Sequence, residues 1–245
     1  MNVDEKILNL LERSNYKTPY FLFSTEKILK EYNSFKSNFP RATICYALKA
    51  NSEKSILETL FKVGASFEVA SKYELDMLKE IKVPPEKIIF GTSVKSATRI
   101  KSFCDYGVDR FAFDSLSELE KISEITPGSK VFCRVIVNDS GSVYRFSEKF
   151  GTDKKNVVYL LDHARDLKLQ PYGISFHVGS QASNMMAWAD ALEGLHDVIL
   201  NLEKIGIKLD MIDLGGGYPC NSYASSNQEL TIKDIAKSVI KVYKS

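Results

Sequence analysis

The stretch ICYALKANSEKSIL, residues 44–57, places a lysine at the end of an apolar segment. Ile44 to Leu48 form a short apolar run typical of a buried strand, and Lys49 follows directly, just before a helical pattern begins. A lysine held in a dry pocket beside other positive charges has a lowered pKa, and its amine is a nucleophile toward aldehydes. The alternative is a side chain that extends its ammonium group into water.

Two further segments place suitable residue types directly after apolar strand patterns. In DLGGGYP, Gly215, Gly216 and Gly217 carry no side chain that would obstruct a ligand, and the N–H groups of such a turn can bind an anion. In SFHVGSQ, His177 offers a flat ring that can stack on a heteroaromatic ring, and the hydroxyl of Ser180 can donate to a phosphate. A tight turn and a structural histidine are the simpler alternatives.

Cysteine and histidine spacing argues against a metal site. His177 has no second His or Cys at metal-ligand spacing, and the four cysteines form no CxxC motif. Two of the cysteines lie inside apolar strand patterns, so we expect buried free thiols and a reducing, cytoplasmic location. The four are Cys45, Cys104, Cys133 and Cys220.

The overall charge and hydropathy exclude several kinds of partner. The 245 residues include 33 Lys and Arg against 31 Asp and Glu, a net charge of +2, which gives no electrostatic case for nucleic acid or an anionic membrane. No apolar run approaches the length of a membrane span, and the N-terminus lacks the pattern of a signal peptide. A small molecule is the expected ligand.

Short apolar runs alternate with helical patterns along the chain, which predicts parallel strands in βαβ units. The predicted strands are 43–48, 65–70, 87–91, 109–113, 130–137, 172–178 and 210–214. The predicted helices are 53–63, 71–82, 95–106, 115–125, 153–168, 187–206 and 229–243. Ser115 and Glu118 have the spacing of a capping box at the start of one of these helices.

The regular units favour an α/β fold of the TIM-barrel type over a doubly wound sheet, because no GxGxxG follows the first strand. Chemistry in such barrels lies at the carboxyl ends of the strands. Those ends carry Lys49, Glu68, Arg134, His177 and the DLGGGYP loop. A lysine, a stacking histidine and a phosphate loop at one barrel mouth together describe a site for pyridoxal 5′-phosphate (PLP).

The order of several motifs resembles one enzyme family. YALKAN, FEVASKYEL, CRVIV with SEKFG, YGISFHVGSQ and DLGGGYP occur in the order seen in the fold-type III PLP-dependent decarboxylases, the ornithine, lysine, arginine and diaminopimelate group. The resemblance covers nearly the whole chain and implies an alanine racemase-like (β/α)8 barrel. SFHVGSQ followed by Trp188 looks more like bacterial ornithine or lysine/ornithine decarboxylases than diaminopimelate ones.

The resemblance also implies residue roles. Lys49 matches the lysine that links to the cofactor, and His177 matches the histidine that stacks on the cofactor ring. Lys149 matches a loop lysine that helps to pair subunits, so a homodimer is expected for the full-length protein. A polar network beneath the cofactor is implied at Glu68, Glu74 and Arg134, and phosphate binding at Ser180, Gly215, Gly216 and Gly217. The family usually has Asp where Glu68 stands.

Parts of the family pattern are missing from the sequence. Only seven βα units are present, and the sequence contains no EPGR-like motif and no C-terminal β-domain. In the family, that β-domain supplies a cysteine that protonates the product. We therefore expect residues 1–245 to be a truncated PLP-binding barrel domain that lacks the eighth strand. Residues 18–23, TPYFLF, are predicted to form an extra N-terminal strand belonging to the missing β-domain.

The expected reaction is decarboxylation of a basic amino acid, most simply ornithine to putrescine in polyamine biosynthesis. Lysine and diaminopimelate remain alternatives, as does a non-catalytic homologue that binds PLP or a partner without turnover. In the family, the acidic residue of the EPGR-like motif keeps the pyridine nitrogen of PLP protonated. Without that residue and the proton-donating cysteine, this chain alone is expected to be inactive. A PLP-homeostasis protein and an alanine racemase are disfavoured, because their motifs around the lysine differ from KANSEKS.

Overall fold

The fold is organised around one parallel sheet whose strands follow chain order. The computed structural model describes residues 5–13, 15–17, 19–220 and 230–244. Each strand pairs in parallel with the next one along the chain, as expected for consecutive βα units. The strands are β1 (Cys45–Ala47), β2 (Ser66–Val69), β3 (Ile88–Phe90), β4 (Arg110–Phe113), β5 (Lys130–Val135), β6 (Gln170–Phe176) and β7 (Met211–Asp213).

Ten α-helices are present in the described part of the chain, most of them between strands. They are α1 (Glu5–Arg13), α2 (Thr25–Asn38), α3 (Lys54–Lys62), α4 (Lys72–Glu80), α5 (Ala97–Tyr106), α6 (Leu116–Ile125), α7 (Lys154–Asp166), α8 (Ala187–Glu193), α9 (His196–Lys204) and α10 (Ile232–Tyr243). All seven predicted strands are confirmed, and the described residues of each predicted helix are largely helical, with boundaries that differ by a few residues and one predicted helix divided into two.

The sheet curls into an incomplete TIM-type barrel, which confirms the predicted fold class. The strand order runs from β1 to β7, so these two strands form the open edges of the sheet. The edge strands are more exposed than the centre: β3 is buried at every residue, whereas no residue of β1 or β7 is fully buried. Parallel strands are normally covered on both sides and on both faces, so the open edges leave part of the barrel interior accessible.

Two apolar layers stabilise the sheet. The larger layer lies between the strands and the surrounding helices and contains fully buried side chains such as Phe67, Phe111 and Phe176. A small cluster of Ile89, Ala112 and Phe132 forms a separate layer. These side chains lie on the other face of the sheet, inside the barrel, because successive side chains of a strand point to opposite faces. The strands are thereby fixed in register, which determines where their carboxyl ends place polar side chains.

The region predicted as one helix over 187–206 is two helices, α8 and α9. The break lies at Gly194, a residue of low helix propensity that caps α8. A side chain at Gly194 would collide with the ammonium group of Lys154. The Lys154 side chain can move away from such a group, so the break follows from the low helix propensity of Gly194 rather than from a collision. The predicted start of the last helix, residue 229, lies outside the described residues.

Residues 19–23 of the N-terminal strand predicted over 18–23 form no strand with the described part of the chain. Thr18 lies outside the described residues, and residues 20–23 have no regular secondary structure and are exposed, with Phe21 90% accessible. Pairing of this segment with a separate β-domain stays a prediction.

The cysteine expectation is wrong in part. Cys133 is buried between the strands and the helices, as predicted, but Cys45 and Cys220 are exposed. Cys45 differs because β1 is an edge strand, which has a neighbouring strand, β2, on one side only. Desolvation nevertheless raises the pKa of Cys45 to about 12. Within the described segments no helix is long and apolar enough to cross a membrane, and no cluster of His, Cys, Asp or Glu suits a metal ion.

Candidate active site

Lys49 lies at the carboxyl end of β1, in a short 3-10 turn formed by Leu48–Ala50. The adjacent Leu48 is buried and anchors this turn in the core. The Lys49 side chain is 61% exposed, and its Nζ lies 3.8 Å from Oε1 of Glu68. The expected dry pocket is therefore not present around this amine, because the mouth of the barrel is open beside β1.

Glu68 extends from β2 toward the neighbouring strand end. Gly91 follows β3, and a Cβ atom there would lie 2.7 Å from Cγ and 2.8 Å from Cδ of Glu68. The longer carboxylate side chain, where the family usually has Asp, therefore uses space that a side chain at position 91 would fill. Gly91 was not singled out in the sequence, because its importance depends on contact with the adjacent strand.

Arg134 projects from β5 with its guanidinium carbon 5.1 Å from the ring centroid of Phe150, a cation–π distance. Burial lowers the pKa of Arg134, and the carboxylates of Asp114, Glu68 and Asp213 oppose that effect. Carboxylates from the ends of three different strands therefore interact electrostatically with the Arg134 guanidinium.

His177 directly follows β6 and receives a hydrogen bond on Nδ1 from the backbone N–H of Gly179, at 3.0 Å. The neutral ring that makes this contact carries its proton on Nε2. Burial, Arg134 and Lys49 lower the pKa of His177 to about 4. The Phe146 ring meets it edge-on at 5.1 Å and 77°. The imidazole is therefore neutral at neutral pH and is held in one orientation.

The glycine loop after β7 passes very close to the backbone that follows β6. Side chains at Gly215 and Gly217 would collide with the carbonyl oxygens of Phe176 and Gly179, and both glycines have positive φ, 67° and 88°. A Cβ at Gly216 would lie 3.4 Å from Nε2 of His177. Among the described residues, the N–H groups of Gly216 and Gly217 have no hydrogen-bond acceptor. They are therefore available to a ligand beside His177.

Ser180 is held beside the glycine loop by the long loop between β5 and α7. Its backbone N–H donates to the carbonyl of Tyr144 at 2.9 Å, and its carbonyl accepts from Val143 at 3.0 Å. Asp139 shapes this loop by accepting hydrogen bonds from the N–H groups of Phe146 and Ser147 at 2.6 and 2.9 Å. The loop therefore orders Ser180 and brings Phe146 against His177.

Asp213 and Asp114 belong to the same polar group but were not predicted. Asp213 accepts a hydrogen bond from the N–H of Gly215 at 2.8 Å, and burial, with a smaller effect of Glu68, raises its pKa to about 6. Asp114 accepts from the N–H of Gly151 at 2.8 Å. The signal for Asp213 was available, since an aspartate two residues before a glycine often accepts from that glycine's N–H.

Glu74 lies in the first turn of α4, and its network role beneath the cofactor stays a prediction. Its carboxylate accepts from the N–H groups of Ala70 and Ser71, at 2.6 and 3.1 Å, and Ser71 accepts from Glu74 in return. This is a complete capping box at the start of α4. The capping box predicted at Ser115 is incomplete, because Glu118 instead binds Lys95 and Lys121.

The geometry brings the predicted residues together. The pKa of His177 is lowered by the nearby charges of Arg134 and Lys49, and the pKa of Asp213 is raised by Glu68. The His177 ring borders the glycine loop. The residues fit PLP: free N–H groups and a hydroxyl suit the phosphate, a neutral imidazole face suits the ring, and an amine suits the aldehyde. This combination defines a PLP-binding barrel.

Comparison with known proteins identifies the family. The sequence profile described as "Pyridoxal-dependent decarboxylase, pyridoxal binding domain" matches residues 25–245, and the chain belongs to this family. It is 35% identical over 213 residues to a lysine/ornithine decarboxylase of Selenomonas ruminantium, covering 87% of this chain and 54% of that protein. It is 32% identical over 237 residues to ornithine decarboxylase of Rattus norvegicus, covering 97% and 50%. The chain spans about half the length of these relatives.

A solved structure agrees with the sequence comparison. The Selenomonas ruminantium enzyme bound to PLP and cadaverine superposes with a TM-score of 0.88 at 32% identity, covering 100% of this chain and 62% of that one. A similarity of a different kind is to antizyme inhibitor 2 of Xenopus laevis, which is 32% identical over 215 residues, covering 88% of this chain and 47% of that protein. PLP is thus the cofactor that the family and its structures indicate.

Proposed function

We propose that the protein to which this chain belongs is a PLP-dependent decarboxylase of a basic amino acid, most simply of L-ornithine to putrescine and CO₂. The observation that carries the proposal is the convergence of an amine, a neutral imidazole and free backbone N–H groups at the carboxyl ends of β1, β6 and β7. PLP, when bound, accepts the electron pair left on the substrate as CO₂ departs.

The residues of this chain bind and orient the cofactor in this proposal. Lys49 supplies the amine for covalent attachment, and Glu68 lies 3.8 Å from it as a neighbouring acceptor. His177 presents a neutral ring face, because its pKa is lowered to about 4. The phosphate binds to the N–H groups of Gly216 and Gly217 and to the hydroxyl of Ser180, which has no hydrogen bond among the described residues.

The choice of a basic substrate rests on the relatives. The similar structures from Selenomonas ruminantium and Vibrio vulnificus contain cadaverine and putrescine, the products expected from lysine and ornithine. Ornithine is our first choice because ornithine decarboxylases from several organisms match most of this chain. A homodimer of the full-length protein and a cytoplasmic location belong to the same proposal.

The first experiment tests the attachment residue. The wild-type chain is mixed with PLP, reduced with borohydride and digested, and the modified peptide is identified by mass spectrometry. We expect the label on Lys49 and a visible absorption band that Lys49→Ala abolishes, while Lys54→Ala, an exposed lysine on α3, retains both. A reducible linkage of unchanged yield in Lys49→Ala contradicts the proposal.

A second candidate is PLP or partner binding without turnover. The similarity to a protein described as antizyme inhibitor 2 favours it, as does the exposed Lys49 side chain. Incubation of the full-length protein with ornithine, lysine or arginine separates the two. Release of CO₂ with the matching diamine supports the decarboxylase, and PLP binding without CO₂ from any of the three supports the second candidate.

A further inference from the structure

An aromatic stack lies directly behind the glycine loop. Trp188 on α8 is fully buried and stacks on Tyr218 with ring centroids 4.8 Å apart and planes 8° apart. Tyr218, the residue after Gly217, is also met edge-on by Phe35 of α2 at 4.9 Å and 86°. The three rings therefore connect two helices to the loop that carries the free N–H groups.

Hydrogen bonds next to the stack join the glycine loop to the segment that carries Ser180. The N–H of Ala182 donates to the carbonyl of Gly217 at 2.9 Å, and the N–H of Cys220 donates to Oε1 of Gln181 at 2.7 Å. Residues 180–182 carry the Ser180 hydroxyl, and residues 215–217 carry the glycine N–H groups. Contacts between these segments consequently set the distance between the hydroxyl and the N–H groups.

Trp188 acts here through its ring rather than through a hydrogen bond. Its indole Nε1 is buried and has no acceptor in the part of the chain that the structure describes. Replacement of such a tryptophan by phenylalanine removes no hydrogen bond, because the indole N–H makes none. What remains is the stacking contact, and offset or parallel aromatic pairs add about 0.5–1.5 kcal/mol beyond their buried area.

We propose that Trp188 and Tyr218 are positioning residues that hold the glycine loop at the correct distance from Ser180 for the cofactor phosphate. Three consecutive glycines have unusually wide conformational freedom, so the loop needs support from outside its own sequence. Tyr218, which directly follows the loop, is in contact with one ring from α2 and one ring from α8. This inference rests on the proposed function and extends it to residues that do not touch the cofactor.

The test compares PLP with phosphate-free pyridoxal, both at equilibrium with the 245-residue chain. We expect Trp188→Ala to weaken PLP binding about tenfold, the equivalent of the stacking energy, and to weaken pyridoxal binding less than about threefold. Trp188→Phe should restore PLP binding nearly to the wild-type value. Gly216→Val serves as a positive control, because it should also affect PLP far more than pyridoxal.

Two further variants keep the test decisive if Trp188→Ala does not fold. Tyr218→Leu removes the same stack from the loop side and retains the single tryptophan of the sequence, whose fluorescence then reports PLP binding directly. Phe103→Leu breaks another buried stack, with Phe90 at 3.8 Å, which lies on β3 and α5 rather than beside β7, and should leave the ratio of PLP to pyridoxal affinity unchanged.

The outcomes separate the inference from the proposed function. Two results overturn the positioning role. One is an equal loss of PLP and pyridoxal binding in the Trp188 and Tyr218 variants. The other is a change of the PLP-to-pyridoxal affinity ratio in Phe103→Leu as large as the change in those variants. Absence of Lys49-dependent PLP binding in the wild type overturns the proposed function and with it this inference. Normal binding at Lys49 together with selective loss of PLP affinity in Trp188→Ala and Tyr218→Leu supports both.

Discussion

Glu68 and Gly91 occupy one shared space at the ends of two adjacent strands. The Glu68 side chain fills the volume in which a Cβ at position 91 would stand, 2.7 Å from Cγ. The same carboxylate lies 3.8 Å from the Lys49 amine. The identity of residue 91 therefore fixes the position of the acidic neighbour of the proposed attachment site.

This pair gives a prediction about double substitution. Gly91→Ala should destabilise the chain by about 1–3 kcal/mol, because an added methyl group overpacks the space used by Glu68. Glu68→Asp with Gly91→Ala should recover most of that loss, since the shorter side chain vacates the space. Urea denaturation of the two variants and of Glu68→Asp alone provides the comparison. Strict additivity of the two changes would show that the side chains do not share the space.

His177 gives a prediction about pH. Its pKa is about 4 in the folded chain against about 6.5 when unperturbed, so the unfolded chain binds more protons between these values. The His177 contribution to stability is complete above about pH 6.5 and is lost as the pH falls toward 4. Asp213 has the opposite sign, because its raised pKa of about 6 favours the folded state at low pH.

A comparison with His177→Gln isolates the histidine, because both proteins retain Asp213. We expect the stability of the wild type, relative to the variant, to fall by on the order of 1–3 kcal/mol between pH 6.5 and 4. Denaturant unfolding at several pH values measures the difference. A difference that stays constant across this range would mean that the His177 pKa is not lowered by folding.

At the scale of elements, a buried ionic cluster connects the loop after β3 to β4 and α6. The Lys95 ammonium is fully buried and donates to the carbonyls of Thr92 and Ala112 at 2.9 and 2.5 Å, and Oε1 of Glu118 lies 3.0 Å from it. Lys121 approaches the other oxygen of Glu118 at 2.5 Å. Desolvation lowers the pKa of Lys95 to about 8, although Glu118 opposes the effect.

Removal of the carboxylate from this cluster should be costly. Glu118→Gln leaves the Lys95 charge buried without its partner, and we expect a loss of about 3–5 kcal/mol in unfolding free energy. Glu118→Gln with Lys95→Met should be less destabilising than Glu118→Gln alone, because no uncompensated charge remains. Glu120→Gln, an exposed position on the same helix, should change stability by less than about 0.5 kcal/mol. A Glu118→Gln loss as small as that of the control would contradict this view of the cluster.

The elements themselves were predictable because the sequence repeats a simple local pattern. Apolar β-branched runs and helical periodicity located all seven strands and their helices, and strand ends located Lys49, His177 and the glycine loop. Two features depend on contacts distant in sequence and were not predictable: the role of Glu118 toward Lys95, and the space at Gly91. Exposure of Cys45 and Lys49 follows from the position of β1 at an open edge.

At the scale of the whole molecule, the two open strand edges should promote association. β1 and β7 present unpaired backbone groups beside a partly accessible interior, and exposed edges pair with other chains. We expect the isolated 245-residue chain to form concentration-dependent oligomers in sedimentation velocity at micromolar concentrations. A wild-type chain that sediments as a monomer at every concentration would contradict the expectation.

Pairing of each strand only with its neighbours in sequence has a consequence for biosynthesis. During translation, β1 and β2 are complete long before the glycine loop leaves the ribosome, and each later strand adds to an edge that already exists. Lys49 is therefore among the early parts of the site to be synthesised, whereas the phosphate-binding N–H groups of residues 216 and 217 arrive almost 170 residues later. A cofactor that needs both Lys49 and these N–H groups would therefore reach its complete site only after all seven strands have been synthesised.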